Sequence, residues 1–143
     1  MSEFKDPDNN QKVTTTSEWL SMGWNSLLGM FGSDQAYQRV FSQVLKNYHK
    51  GFKNVEIEPE YFEKIHAKPI NRTRKEIKKY PSLMPLTKSE FPIIITYGDA
   101  DVYGDSKLEL IKRYPTATIK TIVNSGHIPW KHNLNEFNKI LNT

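Results

Sequence analysis

A short apolar run in the second half of the chain limits the fold more than any other feature. Residues 92–97, Pro-Ile-Ile-Ile-Thr-Tyr, have the apolar, β-branched character of a parallel strand that is buried on both faces. A loop follows at residues 98–104, and a helical pattern over residues 107–114 ends at Pro115. Residues 118–123 are a second strand-like run. A strand–helix–strand unit of this length predicts a right-handed crossover between parallel strands.

The loops that leave these two strands carry the residues with catalytic chemistry. Asp99 and Asp101 lie in the first loop, and His127 follows the second strand in the sequence Asn-Ser-Gly-His. The carboxyl ends of parallel strands meet at one edge of the sheet, where open α/β sheets place their active sites. Neighbouring strands lie about 4.8 Å apart, so a carboxylate on one loop can reach the imidazole on the other. The sequence therefore predicts an Asp–His pair in the orientation that a hydrolytic triad needs.

Before these strands the sequence is helical in character. Thr15, followed three residues later by Glu18, is a capping-box pattern and predicts where the first helix begins. Further helices are predicted over residues 34–50, 59–66 and 73–80 from their apolar spacing and from flanking glycine and proline residues. The first helix carries large apolar side chains at Trp19, Leu20, Trp24, Leu27, Leu28 and Phe31.

The order of these patterns predicts an α/β chain in three parts. Residues 1–13 are polar and are expected to form a flexible start. Residues 14–88 form a helical, cap-like region, and residues 89–143 form a βαβα unit with parallel strands. The last helix is predicted to follow Asn133, with Glu136 as its partner in a second capping-box-like pair.

Composition excludes several classes of site and environment. The chain has 143 residues and is 37% hydrophobic and 12% aromatic, which suits one globular domain with a modest core. It contains no cysteine, so disulfides, thiolate nucleophiles and cysteine-bound metals are excluded. No apolar run reaches the ~18 residues of a membrane span, and no basic-then-apolar leader is present. A soluble, cytoplasmic protein without membrane contact is expected.

Neither nucleic-acid binding nor metal binding is indicated. The net charge is +4, and much of the excess lies at residues 72–79 without interleaved aromatic residues, which is typical of a solvated helix face. His49, His66 and His132 are expected to be surface histidines or histidines with ordinary internal partners. His127 and His132 are five residues apart with a proline between them, which does not suit a helical zinc pair. No metal is predicted.

The two loops and their strands resemble one known family. Gly-Asp-Ala-Asp at residues 98–101 is similar to the Gly-x-x-Asp that ends a strand in α/β-hydrolase-fold enzymes, and Ser-Gly-His at residues 125–127 is similar to the Gly-His before their final helix. The resemblance covers residues 92–141, and the helical region before them is similar to the cap of that family. Within the superfamily, residues 97–104 and 126–130 look most like the corresponding stretches of proline-iminopeptidase-type hydrolases.

This resemblance implies a function and a set of site residues. Asp101 would be the acid, with Asp99 as the alternative, and His127 would be the base of a Ser-Asp-His triad that hydrolyses an ester or amide bond. The reaction would be aminopeptidase-like, on a small-molecule or short-peptide substrate, and no cofactor is implied. Trp130, Trp19 and Trp24 are candidates for the substrate pocket, with ordinary packing as the alternative for each.

The nucleophile of that family is missing from the chain. There is no Gly-x-Ser-x-Gly turn, no cysteine to replace the serine, and no glycine-rich loop for the oxyanion hole. The chain is therefore expected to be inactive alone, as a truncated enzyme, a pseudoenzyme or one part of a split enzyme. The strand at residues 93–95 would also leave one edge unpaired, for a partner chain, an oligomer or the cap helices to cover. The alternative is a non-catalytic binding or interaction module with a relict Asp–His pair.

Overall fold

The structure, a computed structural model, describes residues 14–52, 60–81, 83–103 and 106–142. The described residues form two compact units. The helical unit contains residues 14–47 and 60–81, and the sheet unit contains residues 48–52, 83–103 and 106–142. None of the helices in these stretches is both long enough and apolar enough to cross a bilayer.

Helix α1, Thr16–Met30, begins with the predicted capping box. The Thr15 hydroxyl accepts a hydrogen bond from the Glu18 amide at 3.3 Å, and the Glu18 carboxylate accepts one from the Thr15 amide at 2.6 Å. Two amides that the first helical turn leaves without partners are satisfied in this way. Gly32, just after the helix, has a φ of +104°, a conformation that glycine adopts without strain.

Helix α2, Asp34–His49, agrees with the predicted range of 34–50. The Ser33 hydroxyl accepts a hydrogen bond from the Ala36 amide at 3.2 Å, as expected of a helix cap. Beyond the helix, Gly51 has a φ of +88°, which is typical of the glycine that ends a helix. Tyr48 and His49, the last two residues of α2, belong to the sheet unit by their contacts.

Tyr37 organises the helical unit. Its side chain is fully buried, and its hydroxyl donates a 2.6 Å hydrogen bond to the side-chain oxygen Oδ1 of Asn71. The side-chain nitrogen Nδ2 of Asn71 in turn donates to the Gly29 carbonyl at 2.9 Å. A Cβ on Gly29 would overlap the Tyr37 ring, so the close approach of α1 and α2 at this point requires glycine. One buried aromatic residue thereby joins three segments of the unit.

Helix α3 is a single turn, Glu60–Glu63, and is shorter than the predicted helix over 59–66. Pro59, on which that prediction depended, lies outside the described residues. The predicted flexible start at residues 1–13 also lies outside them.

Helix α4, Ala67–Ile77, corrects the prediction of a helix over 73–80. It begins six residues earlier because its first amide has a partner that is distant in sequence. The Ala67 amide donates a 2.7 Å hydrogen bond to the Asp34 carboxylate at the start of α2. Asp34 therefore serves the amino-terminal end of a second helix, where a negative charge is favourable.

The sheet unit contains the predicted parallel pair. Strand β1, Ile94–Gly98, and strand β2, Thr118–Ile122, run parallel, with Ile94 opposite Thr118 and Gly98 opposite Ile122. Helix α5, Ser106–Arg113, connects them. The crossover between parallel strands is therefore confirmed, with β1 displaced slightly from the predicted 92–97. Helices and a small parallel sheet give the described chain an α/β character.

The expectation that β1 is covered on both faces is wrong within the sheet unit. Ile95 and Ile122 are buried, but Ile94 is 44% exposed and Ile119 is 37% exposed. The described residues contribute two strands to the sheet, so β1 and β2 each have one unpaired edge there. Each face thus has one buried and one exposed isoleucine, and full cover would require elements packed along the whole of both faces.

Two short helices complete the sheet unit. Helix α6, Pro129–His132, begins with a proline, whose fixed φ and missing amide hydrogen suit the first helical position. Helix α7, Leu134–Leu141, begins after Asn133, whose side chain accepts a hydrogen bond from the Glu136 amide at 3.3 Å. Asn133 is thus the cap that the sequence predicts.

Candidate active site

The end of β1 lies directly against the loop that follows β2. A Cβ on Gly98 would overlap the backbone of Ser125 and Gly126, so only glycine permits this approach. The Ala100 amide then donates a 2.9 Å hydrogen bond to the Ser125 carbonyl. These contacts place the acidic loop beside the histidine loop at the carboxyl ends of the strands, the edge at which parallel sheets place their sites.

Asp101 and His127 form a hydrogen-bonded pair at this edge. The His127 Nδ1 atom lies 3.0 Å from Oδ1 and 3.2 Å from Oδ2 of Asp101. Asp101 is fixed in turn, because its Oδ1 accepts a 2.8 Å hydrogen bond from the Tyr103 amide. Its side chain is 15% exposed, whereas that of His127 is 38% exposed.

The geometry selects one tautomer of the neutral His127 ring. With its Nδ1 proton donated to the Asp101 carboxylate, the ring carries an unprotonated Nε2. Within the part of the chain that the structure describes, no hydrogen-bond partner occupies Nε2. The arrangement can therefore accept a proton at Nε2, and the carboxylate can stabilise the imidazolium that results.

Asp99 has a structural contact instead. Its Oδ1 accepts a 3.2 Å hydrogen bond from the Ser125 amide, which ties the two loops together. Ser125 is fully buried and its hydroxyl donates to the Ile122 carbonyl at 3.0 Å, so it is not oriented as a nucleophile. The structure thus brings Asp101, and not Asp99, to His127.

Two tyrosine rings flank the imidazole. The Tyr48 ring lies 4.6 Å from the His127 ring, centroid to centroid, and the Tyr103 ring lies 4.9 Å from it in an edge-on arrangement. The Tyr48 hydroxyl donates a 3.1 Å hydrogen bond to the Tyr103 hydroxyl. Burial raises the pKa of Tyr48 above its ordinary value of 10, so its phenol stays protonated in more alkaline solution than that of an exposed tyrosine. Sequence reasoning missed this contact, because Tyr48 is one of several apolar residues at helical spacing.

A second histidine supports the loop that carries His127. The Nδ1 atom of His132 accepts a 2.9 Å hydrogen bond from the Gly126 amide, and its other nitrogen lies 2.9 Å from Nδ1 of His49. The Phe52 ring stacks on the His132 ring with a centroid distance of 3.8 Å. Burial lowers the pKa of His132 to about 4 and also lowers the pKa of His49. Their sequence positions alone gave no signal of this pairing.

The three predicted tryptophans are placed as follows. Trp130 lies on α6 in the sheet unit, half exposed, and its ring packs at 5.9 Å from that of Phe137. Trp19 and Trp24 lie on α1 in the helical unit, and both are exposed. Their role in substrate binding stays a prediction.

The described residues contain no group of three or more histidine, aspartate or glutamate side chains arranged to bind a metal ion. Compared with protein-family models, with curated proteins and with solved structures, the chain shows no match to any of them. The candidate site is therefore interpreted from its own geometry.

Proposed function

We propose that this chain supplies the acid and the base of a serine hydrolase of the α/β-hydrolase type. In this proposal Asp101 orients His127, and His127 serves a serine that lies outside these 143 residues. The substrate class is an ester or an amide, such as the amino-terminal peptide bond of a short peptide. The observation that carries the proposal is the Asp101–His127 hydrogen bond at the carboxyl end of a parallel sheet.

The proposed reaction is acyl transfer. The serine proton moves to Nε2 of His127 while the serine oxygen bonds to the substrate carbonyl carbon. His127 then donates that proton to the leaving group as the ester or amide bond breaks. Asp101 keeps Nδ1 protonated and stabilises the imidazolium between these steps. Water then attacks the acyl-serine carbonyl and gives its proton to His127, and the same proton transfer to the serine oxygen releases the carboxylic acid product and restores the serine.

The exposed sheet supports the idea that the nucleophile comes from elsewhere. Ile94 and Ile119 present apolar surface on the two strands that the described residues contribute, and natural proteins usually cover such strands. A strand added beside β1 would extend the sheet and bring a further strand end to the edge that carries Asp101 and His127. The serine of the proposed complete site would enter on such a partner.

Complementation tests this function. The chain alone should not hydrolyse ester or aminoacyl-arylamide substrates above background. It is then mixed with the amino-terminal part of a proline-iminopeptidase-type enzyme that carries the serine turn but lacks its own cap and carboxyl-terminal segment. The mixture should hydrolyse the arylamide. With the His127→Ala chain, the rate should be no higher than that of the fragment alone. With the Asp101→Asn chain, the rate should be about three to four orders of magnitude lower than with the unsubstituted chain.

Two results would contradict the proposal. One is turnover by the purified chain alone that His127→Ala abolishes, because it would require a nucleophile within the chain. The other is a stable complex, seen by size-exclusion chromatography, that has no activity.

The second candidate is a non-catalytic interaction module, and the surface of α1 favours it. Large apolar side chains are exposed along this helix, which is uncommon at this density in a protein without partners. In this case the Asp101–His127 pair is structural, and neither His127→Ala nor Asp101→Asn changes the binding function of the chain. The exposed residues of the helix are Trp19, Leu20, Trp24, Leu27 and Met30, and Phe31, directly after its end, is exposed as well.

A further inference from the structure

We propose that His132 is the positioning residue of the candidate site, holding the backbone that carries His127 through a neutral pair with His49 that acid disrupts. The hydrogen bonds concerned exist whatever the chain does, and their importance for catalysis rests on the proposed function. The second pair lies outside the Asp101–His127 hydrogen bond and acts on the backbone next to His127.

The donors and acceptors determine where the protons of the pair lie. The Gly126 amide can only donate, so Nδ1 of His132, 2.9 Å away, must be an unprotonated acceptor. The proton of the neutral His132 ring is then on Nε2, and it is donated to Nδ1 of His49 at 2.9 Å. His49 must therefore also be neutral, with its proton on its own Nε2.

The packing around His132 makes its ring a rigid support. The Phe52 ring stacks on it with an angle of 10° between their planes. A Cβ on Gly126 would lie 3.0 Å from the Phe52 ring and 3.2 Å from the His132 ring, so the backbone lies close to both. Gly126 directly precedes His127, which is thus fixed by Asp101 at its ring and by His132 at its backbone. A displacement of 1 Å in a catalytic group can lower a rate about 100-fold.

Acid removes this support for a simple reason. A proton on Nδ1 of His132 would place an N–H group against the Gly126 N–H group, and the hydrogen bond would be lost. Burial opposes that proton, as do the neighbouring His49 and His127, whereas Asp101 favours it. Lys131 opposes protonation of His49. The support should be intact at neutral pH and be lost as the pH falls to about 4, the pKa of His132.

Two substitutions in the full chain separate positioning from general packing. The side-chain oxygen of His132→Asn lies near the place of Nδ1, so it can still accept from the Gly126 amide but cannot titrate. The longer side chain of His132→Gln places its amide near Nε2 and leaves Gly126 without its acceptor. His66→Gln, at an exposed histidine of the helical unit, is the control for histidine loss.

NMR spectra record the signals of the Gly126 amide and of the His127 ring nitrogens. The same experiments measure how fast the Gly126 amide proton and the His127 Nδ1 proton exchange with solvent. In His132→Gln both protons should exchange about tenfold faster at pH 7, the effect of losing one hydrogen bond. His132→Asn and His66→Gln should match the unsubstituted chain at pH 7. Below about pH 4, the pKa of His132, the unsubstituted chain should lose the Gly126 hydrogen bond, and His132→Asn should keep it.

Several outcomes would overturn the inference. Equal effects of the asparagine and glutamine variants would mean that His132 acts only through packing. A Gly126 hydrogen bond that persists to pH 3 in the unsubstituted chain would refute the acid step, and this result does not depend on any variant folding.

The same variants separate this inference from the proposed function. If complementation yields no activity while the NMR results hold, the proposed function fails and the positioning stands. If complementation yields activity that is equal in both variants, the positioning fails and the function stands.

Discussion

At the scale of single residues, Gly98 determines how closely the two loops of the candidate site approach. A Cβ at this position would meet the backbone of Ser125 and Gly126, which cannot rotate away as a side chain can. Gly98→Ala should therefore lower the free energy of unfolding by at least about 1–3 kcal/mol, the usual cost of overpacking. It should also displace the Gly126 and His127 NMR signals. Urea unfolding together with an NMR spectrum measures both effects.

Gly23 provides the matched control for this substitution. It lies within α1, and a Cβ there would have no neighbour within 4 Å. Gly23→Ala should raise helix stability by about 0.5–1 kcal/mol, because alanine has a higher helix propensity than glycine. If Gly98→Ala had the same small, favourable effect, the close approach at the site would be absent in solution.

The sequence could predict part of the site at this scale. His127 and an acid beside it were predictable because both follow strands at one edge of the sheet. The family resemblance favoured Asp101 over Asp99, and the hydrogen bonds show Asp101 against His127 and Asp99 against the Ser125 amide. Tyr48 and His132 were not predictable as neighbours of the site. Tyr48 lies 55 positions from Tyr103, to which its hydroxyl donates, and no local pattern records such a contact.

At the scale of elements, the start of α1 rests on a local capping box. Thr15→Ala should lower the stability of this helix by about 0.5–2 kcal/mol, since an amide of the first turn loses its acceptor. Thr15→Ser should keep most of the stability because its hydroxyl can accept the same bond. Amide exchange at Glu18 measures the change, and equal exchange in the alanine and serine variants would show that the hydroxyl does not cap the helix.

The contrast between α1 and α4 explains which helix boundaries a sequence can predict. The cap of α1 lies three residues from its partner, so a short motif reveals it. The amide of Ala67 at the start of α4 is satisfied by Asp34, which is 33 positions away. The burial of β1 likewise depends on residues that are distant in sequence. Ile94 is exposed, although the apolar pattern of the strand predicted burial on both faces.

At the scale of the whole molecule, the two units contain ionisable groups that respond to acid in different ranges. In the sheet unit, burial lowers the pKa of His132 to about 4 and lowers the pKa of His49, against about 6.5 for an ordinary histidine. In the helical unit, hydrogen bonds from His66 and from the Ala67 amide lower the pKa of Asp34 below its usual 3.8. Each shift links folding to pH.

The signs of these shifts predict that the sheet unit loses stability first. As the pH falls from about 6.5 to about 4, the unfolded chain binds protons that the folded His132 and His49 do not. The free energy of unfolding should then fall by up to about 1.4 kcal/mol per pH unit for the His132 proton, and His49 changes it in the same direction. The contribution of Asp34 is fully present above its unfolded pKa, near 3.8, and is lost only as the pH falls through its lower folded pKa.

Hydrogen exchange, corrected for its intrinsic pH dependence, can follow the two units separately. Protection of the Ile95 and Ile122 amides in the sheet unit should decrease between pH 6.5 and pH 4. Protection of the Tyr37 amide in the helical unit should decrease only at lower pH, where Asp34 becomes protonated. His132→Asn should reduce the decrease in the sheet unit, because it removes one of the two titrating groups. A parallel loss of protection in both units, unchanged by this variant, would mean that the neutral histidine pair does not determine how the molecule responds to acid.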